Sequence, residues 1–545
     1  MTREDRAAKA RSPERRSRDH EQAPPTRVPI RTARVLVLAA VFACAACGLV
    51  YELALVALGS YLIGNSVTQA SIVLSVMVFA MGIGSLAAKP LQSRAVVAFA
   101  AVEGALALLG GLSVLALYAA YAWLGLYVPA LVVVAFVVGG LIGAEIPLLM
   151  TLLQRIRKQD AGSAVADLFA ADYVGALLGG LAFPFLLLPL FGHIKGTLLV
   201  GAGNAVAGMA VVLWLFRGQV RRGARLMLWG GLAGVLAVLG GTYALADRFE
   251  VSARQALYRD PIALAERTAY QEIVITRGLK LSGRSDLRLF LNGDLQFSSV
   301  DEYRYHEALV HPALAGTRGN VLILGGGDGL ALREVLRYRD VRRVTLVELD
   351  PEMVRLARTY GELAALNRRA FEDPRVDVVN ADGFSWLRER VGAGSGAGGF
   401  DSVIVDFPDP DDVSTAKLYS VEFYGLLKRV LAPGGRFVVQ SGSPFFAPRS
   451  FWCIERTIRE AGLATVPYHV DVPSFGDWGY VLATPGDAPP PLRMDPTVTG
   501  LRFLDEGVLR ASSVFARDLR RDDVDVNTLI KPKLLDYQRQ EWRDL

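Results

Sequence analysis

The chain has 545 residues, 52% of them hydrophobic, with a formal net charge of +5 and three cysteines. That length allows two to four domains. Three cysteines exclude a disulfide framework, and a modest charge gathered in the N-terminal arm and short loops speaks for topology, not nucleic-acid binding.

Residues 1–33 are rich in Arg, Glu, Asp and Pro and cannot bury a core, so they are expected to form a disordered basic arm. The arm lacks a clear cleavage site and is not a typical signal peptide. Long apolar runs follow, each about 20 residues, the length that spans a bilayer. Seven are read, near 35–58, 68–88, 96–121, 127–151, 173–192, 196–216 and 226–246, which makes 34–246 an all-α multi-pass membrane domain. Lys89, Arg94, Arg155, Arg157, Lys158, Arg217, Arg221, Arg222 and Arg225 fall in alternate gaps, which places the N-terminus in the cytoplasm. Seven crossings then put the rest of the chain outside. That conflicts with the cytoplasmic placement expected of an enzyme using a cytosolic nucleoside.

Glu52, Glu103, Glu145, Asp167 and Asp172 lie in or beside these runs. Charge is costly in a bilayer, so they are candidates for a polycation path, set against helix-end caps and buried pairs. Cys44 and Cys47 are read as packing residues. Gly175 and Gly179 suit close helix packing.

A polar helical stretch (247–264) leaves the membrane. Residues 268–276 and 287–292 read as strands of a small antiparallel sheet within 247–315, with a turn at Asn292-Gly293-Asp294. Residues 301–314 read as a helix. Val321 to Leu324 is an apolar run that breaks into Gly325-Gly326-Gly327-Asp328-Gly329. A helix from Leu330 to about Tyr338 and a second run ending in Glu348 follow. That is strand, glycine turn, helix, strand, acid, the first half of a nucleotide-binding unit. Glu348 can accept both hydroxyls of a ribose. Asp328 disfavours a pyrophosphate and suits a cationic ligand.

Further strands at 376–379, 400–405, 435–440, 465–470 and 479–483, with a helix at 449–461, complete a doubly wound Rossmann-like domain over 316–490. A charged tail, 491–545, is expected to be helical. Ligands bind at the carboxyl ends of such strands, where this chain places Asp328, Glu348, Asp382, Asp406 and Asp409. Five acids fit a cationic ligand and a cationic co-substrate. Pro408 and Pro410 stiffen the loop, so Asp406 and Asp409 can face one cleft, one taking a proton from an ammonium and the other fixing the amine.

These residues resemble the polyamine aminopropyltransferase (spermidine synthase) family over roughly 268–484. The resemblance rests on YQEIVIT (270–276), LNGDLQFSSVDEYRYHEALVHPAL (291–314), LILGGGDGLALREVLRY (322–338), VELD (347–350), ADGF (381–384) and DFPDP (406–410). The membrane half resembles the membrane-bound bacterial branch. The resemblance implies transfer of the aminopropyl group of decarboxylated S-adenosylmethionine, a co-substrate and not a resident cofactor, to putrescine or another amine. It implies Asp406 as proton acceptor, Glu348 as ribose ligand, and Asp382, Gly383 and Gln271 as nucleoside contacts. Asp328, His306, Tyr305 and Asp409 match the aminopropyl and polyamine groups. It implies no metal and a homodimer. The chain departs at Asp411-Asp412-Val-Ser-Thr-Ala-Lys417 and at Val472-Pro473-Ser474-Phe475, where members carry a tyrosine. Both changes touch the acceptor side. The alternatives are an S-adenosylmethionine-dependent methyltransferase and a non-catalytic polyamine transporter or sensor.

Overall fold

The computed structural model describes residues 30–63, 66–156, 161–216, 218, 220–279, 285–393 and 399–541. The basic arm before residue 30, and Arg157, Lys158 and Arg217 of the loop charges, lie outside them. The chain divides into two compact units, Met1–Leu257 and Tyr258–Leu545.

The first unit is helical: α1 (Ile30–Ile63), α2 (Ser66–Ala87), α3 (Ala95–Ala119), α4 (Tyr127–Ile156), α5 (Ala161–Ala182), α6 (Leu188–Ala210) and α7 (Arg222–Leu257). Six helices among the described residues are long and apolar enough to cross a membrane, and the fifth runs from Val165 to Leu215. At about 1.5 Å per residue, those 51 residues exceed twice the thickness of a bilayer core of roughly 30 Å. The backbone breaks at Gly192, with φ 69° and ψ −173°, a conformation open to glycine.

The two halves run in opposite directions. Gly175 sits against Phe42 and Gly179 against Ala46, so α5 runs with α1. Glu103 lies by Cys44 and Gly110 by Tyr51, so α3 also runs with α1. Gly201 meets Ala107 and Gly208 meets Glu103, so α6 runs against α3. Counted as two, they restore the seven runs of the sequence. A Cβ on Gly175 would stand 2.2 Å from the Phe42 carbonyl oxygen, which is the close packing expected of this glycine pair. Arg34 pairs with Asp167 between α1 and α5.

The second unit opens with an antiparallel meander, β1 (Ile262–Arg267), β2 (Glu272–Leu279), β3 (Ser285–Leu291) and β4 (Asp294–Ser298). β1 and β4 go beyond the two strands expected, and β1 takes the end of the stretch read as helix. Ile273, Ile275, Leu287, Leu289 and Phe297 turn into the core with α8 (Glu302–Leu314).

The remaining elements are β5 (Asn320–Gly325), α9 (Leu330–Val335), β6 (Arg343–Glu348), α10 (Pro351–Thr359), α11 (Gly361–Leu366), β7 (Val376–Asn380), α12 (Gly383–Gly392), β8 (Phe400–Asp406), α13 (Val413–Ala416), α14 (Val421–Val430), β9 (Leu431–Gln440), α15 (Pro448–Glu460), β10 (Leu463–Val472) and β11 (Gly476–Pro485). They form one seven-stranded sheet in the order β10-β11-β9-β8-β5-β6-β7. β5 to β9 are parallel, and β10 and β11 form an antiparallel hairpin at one edge.

Residues of β5 alternate between two cores. Val321 and Ile323 join the layer that holds α8, while Leu322 and Leu324 join the layer that holds α14. A strand covered on both faces reads as an unbroken apolar run, which is why it stood out in the sequence. The tail departs from expectation. Its described residues, up to 541, hold α16 (Glu506–Ala511), a 3₁₀ turn (Arg517–Leu519) and α17 (Lys533–Glu541), joined by irregular chain.

Candidate active site

Strand register brings the acids to one edge. Gly325 at the end of β5 pairs with Asp406 at the end of β8, and Glu348 at the end of β6 pairs with Asn380. The chain leaves β5 and β8 toward opposite sides, so a crevice opens between them. The turn after β5 must be glycine. Gly325 and Gly326 have φ of 80° and 64°, and a Cβ on Gly327 would stand 2.7 Å from Glu348 Oε2. The backbone thus lies directly on the acid.

On one side of the crevice, Glu348 accepts the Asp350 N–H at 3.0 Å. Burial pushes its carboxyl up to about 7, against the Asp350 and Gly327 amides. Asp350 caps α10 and is itself held by Thr268 Oγ1 at 2.8 Å and Gln271 Nε2 at 2.9 Å. Gln271 therefore reaches the Glu348 corner through Asp350, a residue that the sequence reading quoted in a motif but gave no role. Asp382 caps α12 by accepting the Ser385 N–H and pairs with Lys417 at 3.0 Å. Despite partial burial, these bonds hold its carboxyl below the usual carboxylate range. A Cβ on Gly383 would touch the Phe407 ring at 3.2 Å.

On the other side, the Tyr305 hydroxyl donates to Asp406 Oδ1 at 2.6 Å. Burial pushes Asp406 up to about 6. His306 opposes that rise and Asp328 adds to it. Asp328 is raised by burial too, and its Oδ1 accepts the Leu330 N–H at 2.9 Å. His306 is buried, and its Nδ1 lies 2.7 Å from the Glu302 carbonyl oxygen and 3.0 Å from Glu302 Oε2. Both are acceptors, so Nδ1 carries the proton. Burial lowers the proton affinity of the ring, but Glu302, Asp328 and Asp406 outweigh it and leave the imidazole above its usual value.

Asp409 accepts from Gln440 Nε2 at 3.2 Å. Burial raises its carboxyl to about 7, with Asp294 and Asp411 adding to the push. Gln440 also donates to the Phe407 carbonyl at 2.7 Å and to the Tyr419 hydroxyl oxygen at 2.8 Å, which fixes the Asp-Phe-Pro-Asp loop. Phe475 packs on both Tyr305 and Trp478, with ring centroids 6.1 and 5.1 Å apart.

The structure thus joins Tyr305, His306, Asp328 and Asp406 in one electrostatic cluster, sets Asp409 beside Gln440, Asp294 and Asp411, links Gln271 to Glu348 through Asp350, and holds Asp382 on Lys417 with Gly383 against Phe407. The sequence reading missed what supports them. Arg333 donates to both oxygens of Glu302 at 2.9 Å and to Glu334, and Glu334 meets His311 at 3.2 Å. All five, with His306, are buried. Breaking such a pair from one side costs about 3–5 kcal/mol. The only signal in the sequence was acids and an arginine on otherwise apolar helix faces. Asp294 was read as a turn residue but adds a further acid facing Asp409.

The α/β domain thus presents a crevice lined by buried carboxylates, a setting that suits a cationic ligand. Residues 302–490 match the Spermine/spermidine synthase domain family. The chain is 64% identical to Polyamine aminopropyltransferase 1 of Streptomyces coelicolor, over 96% of this chain and 97% of that one. It is 54% identical to Polyamine aminopropyltransferase 2 of the same organism, over 86% and 84%. It is 48% identical to the polyamine aminopropyltransferase of Mycobacterium tuberculosis, over 93% and 97%. A solved spermidine synthase in complex with the transition-state analogue AdoDATO aligns at 28% identity with a TM-score of 0.42, over 47% of this chain and 86% of that one. The chain belongs to the polyamine aminopropyltransferase family.

Proposed function

We propose that the enzyme moves the aminopropyl group of decarboxylated S-adenosylmethionine to putrescine, releasing spermidine and methylthioadenosine. The amine nitrogen attacks the carbon next to the sulfonium. The C–S bond breaks and its electron pair stays on sulfur, which becomes a neutral thioether. The nitrogen sheds one proton to Asp406. The observation that carries this reading is Asp406 itself: a carboxylate near pH 6, anchored on one oxygen by Tyr305, at the mouth between β5 and β8. A base with a pKa near the working pH is the most effective one.

Glu348 holds the ribose, with Asp382, Gly383 and Gln271 on the nucleoside. Asp328, His306, Tyr305 and Asp409 take the aminopropyl chain and the acceptor. The leaving group is already activated by its charge, so positioning and proton removal are what the protein supplies. Residues 34–246 anchor the enzyme in a membrane, residues 247–315 link to it through the small sheet, and 316–490 carry the chemistry.

The test is release of methylthioadenosine by the full-length protein in detergent, with putrescine, cadaverine, spermidine or agmatine as acceptor. Release that needs one amine names the acceptor. No release with any of them, from a protein that still binds the nucleoside, sinks the reading and leaves a polyamine sensor or transporter.

A further inference from the structure

Away from this site, four helices of the apolar bundle turn donors toward one point. Cys44 comes from α1, Glu103 from α3, Glu145 from α4 and Asn204 from α6. The thiol and the two carboxylates each offer an atom within 4.8 Å of the others. Asn204 Nδ2 donates to Glu103 Oε2 at 2.9 Å. All four are buried, at 5% exposure or less.

The groups facing the two glutamates are Cys44, Asn204, each other and Asp172, with no cationic side chain among them. Several oxygens here lack any hydrogen-bond partner: Glu103 Oε1, Glu145 Oε1, Asn204 Oδ1 and the Tyr51 hydroxyl. Tyr51 is fully buried, two turns beyond Cys44 on α1. Helical side chains lean toward the N-terminus, and its hydroxyl faces Cys47, Glu103, Glu145 and Cys44.

Each unpartnered buried polar atom costs about 1–3 kcal/mol, and a cluster of them implies something they hold. A single shared proton satisfies two carboxylate oxygens and the Cys44 thiol bonds Glu103, but the Asn204 amide oxygen and the Tyr51 hydroxyl still stand without a partner. We propose that the apolar bundle holds one divalent cation of the zinc class, ligated by Cys44, Glu103, Glu145 and Asn204, with Tyr51 beside it. Sulfur together with oxygen is a borderline-soft donor set that suits zinc better than magnesium or calcium. In a tetrahedral site with bonds of about 2.0–2.3 Å, donors stand roughly 3.3–3.8 Å apart, so donors at the outer limit of 4.8 Å close by about 1.0–1.5 Å. Loading releases the thiol proton and one carboxyl proton. Thiolate and one carboxylate then balance the +2 charge, and the second glutamate ligates through its carbonyl oxygen as the neutral acid. The reading of Cys44 as a packing residue, and of a chain without a metal, gives way in this proposal.

The test uses the full-length protein in detergent, stripped with a chelator, reloaded with Zn²⁺ or Co²⁺ and dialysed. The expected result is about one ion per chain, a thiolate-to-cobalt absorption band in the cobalt form, loss of that band in Cys44→Ser, and at least tenfold weaker binding in Glu103→Gln. A reloaded chain that holds no ion shows a shared proton only and overturns the proposal. So does an ion bound without the sulfur band. The wild-type cobalt spectrum decides the question even where a variant fails to fold.

Discussion

The two sides of the crevice handle their acids differently. On the side proposed for the nucleoside, Glu348 and Asp382 are tied to backbone amides and, for Asp382, to Lys417. On the amine side, Asp406 and Asp409 are tied to neutral side chains, Tyr305 and Gln440, and crowd against other acids. Amides held by secondary structure fix a carboxylate in place for a ligand that arrives the same way each time. Neutral side-chain partners bring no compensating charge to Asp406 and Asp409, which is the setting that the proposed amine site calls for.

The largest test of this contrast is Asp406→Asn. It removes the proposed proton acceptor while keeping the shape, and methylthioadenosine release is expected to fall about 10²–10⁴-fold with nucleoside binding kept. Glu348→Gln breaks the other wall. Losing a charged hydrogen bond of about 1.5–3 kcal/mol raises KM for the sulfonium substrate roughly 10–150-fold, with kcat moved far less. Equal losses in both parameters would show that the two walls do not divide the labour.

The acids also set a pH signature. Asp406 titrates near 6, and Glu348 and Asp409 near 7, against about 4 for carboxyls in an unfolded chain. Between about 4 and 7 the folded chain therefore holds more protons, and its stability falls as pH rises. The proposed reaction needs ionised Asp406, so kcat/KM is expected to rise through about pH 6. A bound diamine offsets the repulsion, so putrescine is expected to raise the melting temperature more at pH 8 than at pH 5. The smallest effect is expected from Phe475→Tyr, which adds a hydroxyl beside Tyr305 and shifts preference among acceptors only a few-fold. Within the bundle, the alternation of seven helices puts its two ends on opposite faces. Reporter fusions before Ile30 and after Leu257 are expected to read opposite sides of the membrane.

Much of this was legible in the sequence where one residue alone carries the signal. Gly325 to Gly327 announce a tight turn, and an acid at the end of an apolar run announces Glu348 or Asp406. The apolar runs gave the bundle, and the break at Gly192 falls on the last residue of the fifth run. What stayed hidden depends on two distant residues meeting. The Glu302–Arg333 pair joins helices 31 positions apart. The Lys417–Asp382 pair spans 35 positions, and Lys417 appeared in the sequence only as a departure from the family pattern. β1 and β4 were missed because each is a short edge or hairpin strand that alternates weakly.

Asp301 has a consequence for how acceptor choice can change. Its carboxylate clasps the Ser474 N–H at 2.7 Å and the Ser474 hydroxyl at 2.9 Å. It sits one residue before the helix that carries Tyr305 and His306, and Ser474 sits one residue before Phe475. In the proposed reaction, the clasp makes the wall that would feel the acceptor and the helix that holds Tyr305 against Asp406 into a single joint. Substitution at 475 can re-cut the pocket while the aim of the base stays fixed. Loss of the clasp would let both drift together, so acceptor range can diverge in this family at the tip of the hairpin without retuning the proton transfer.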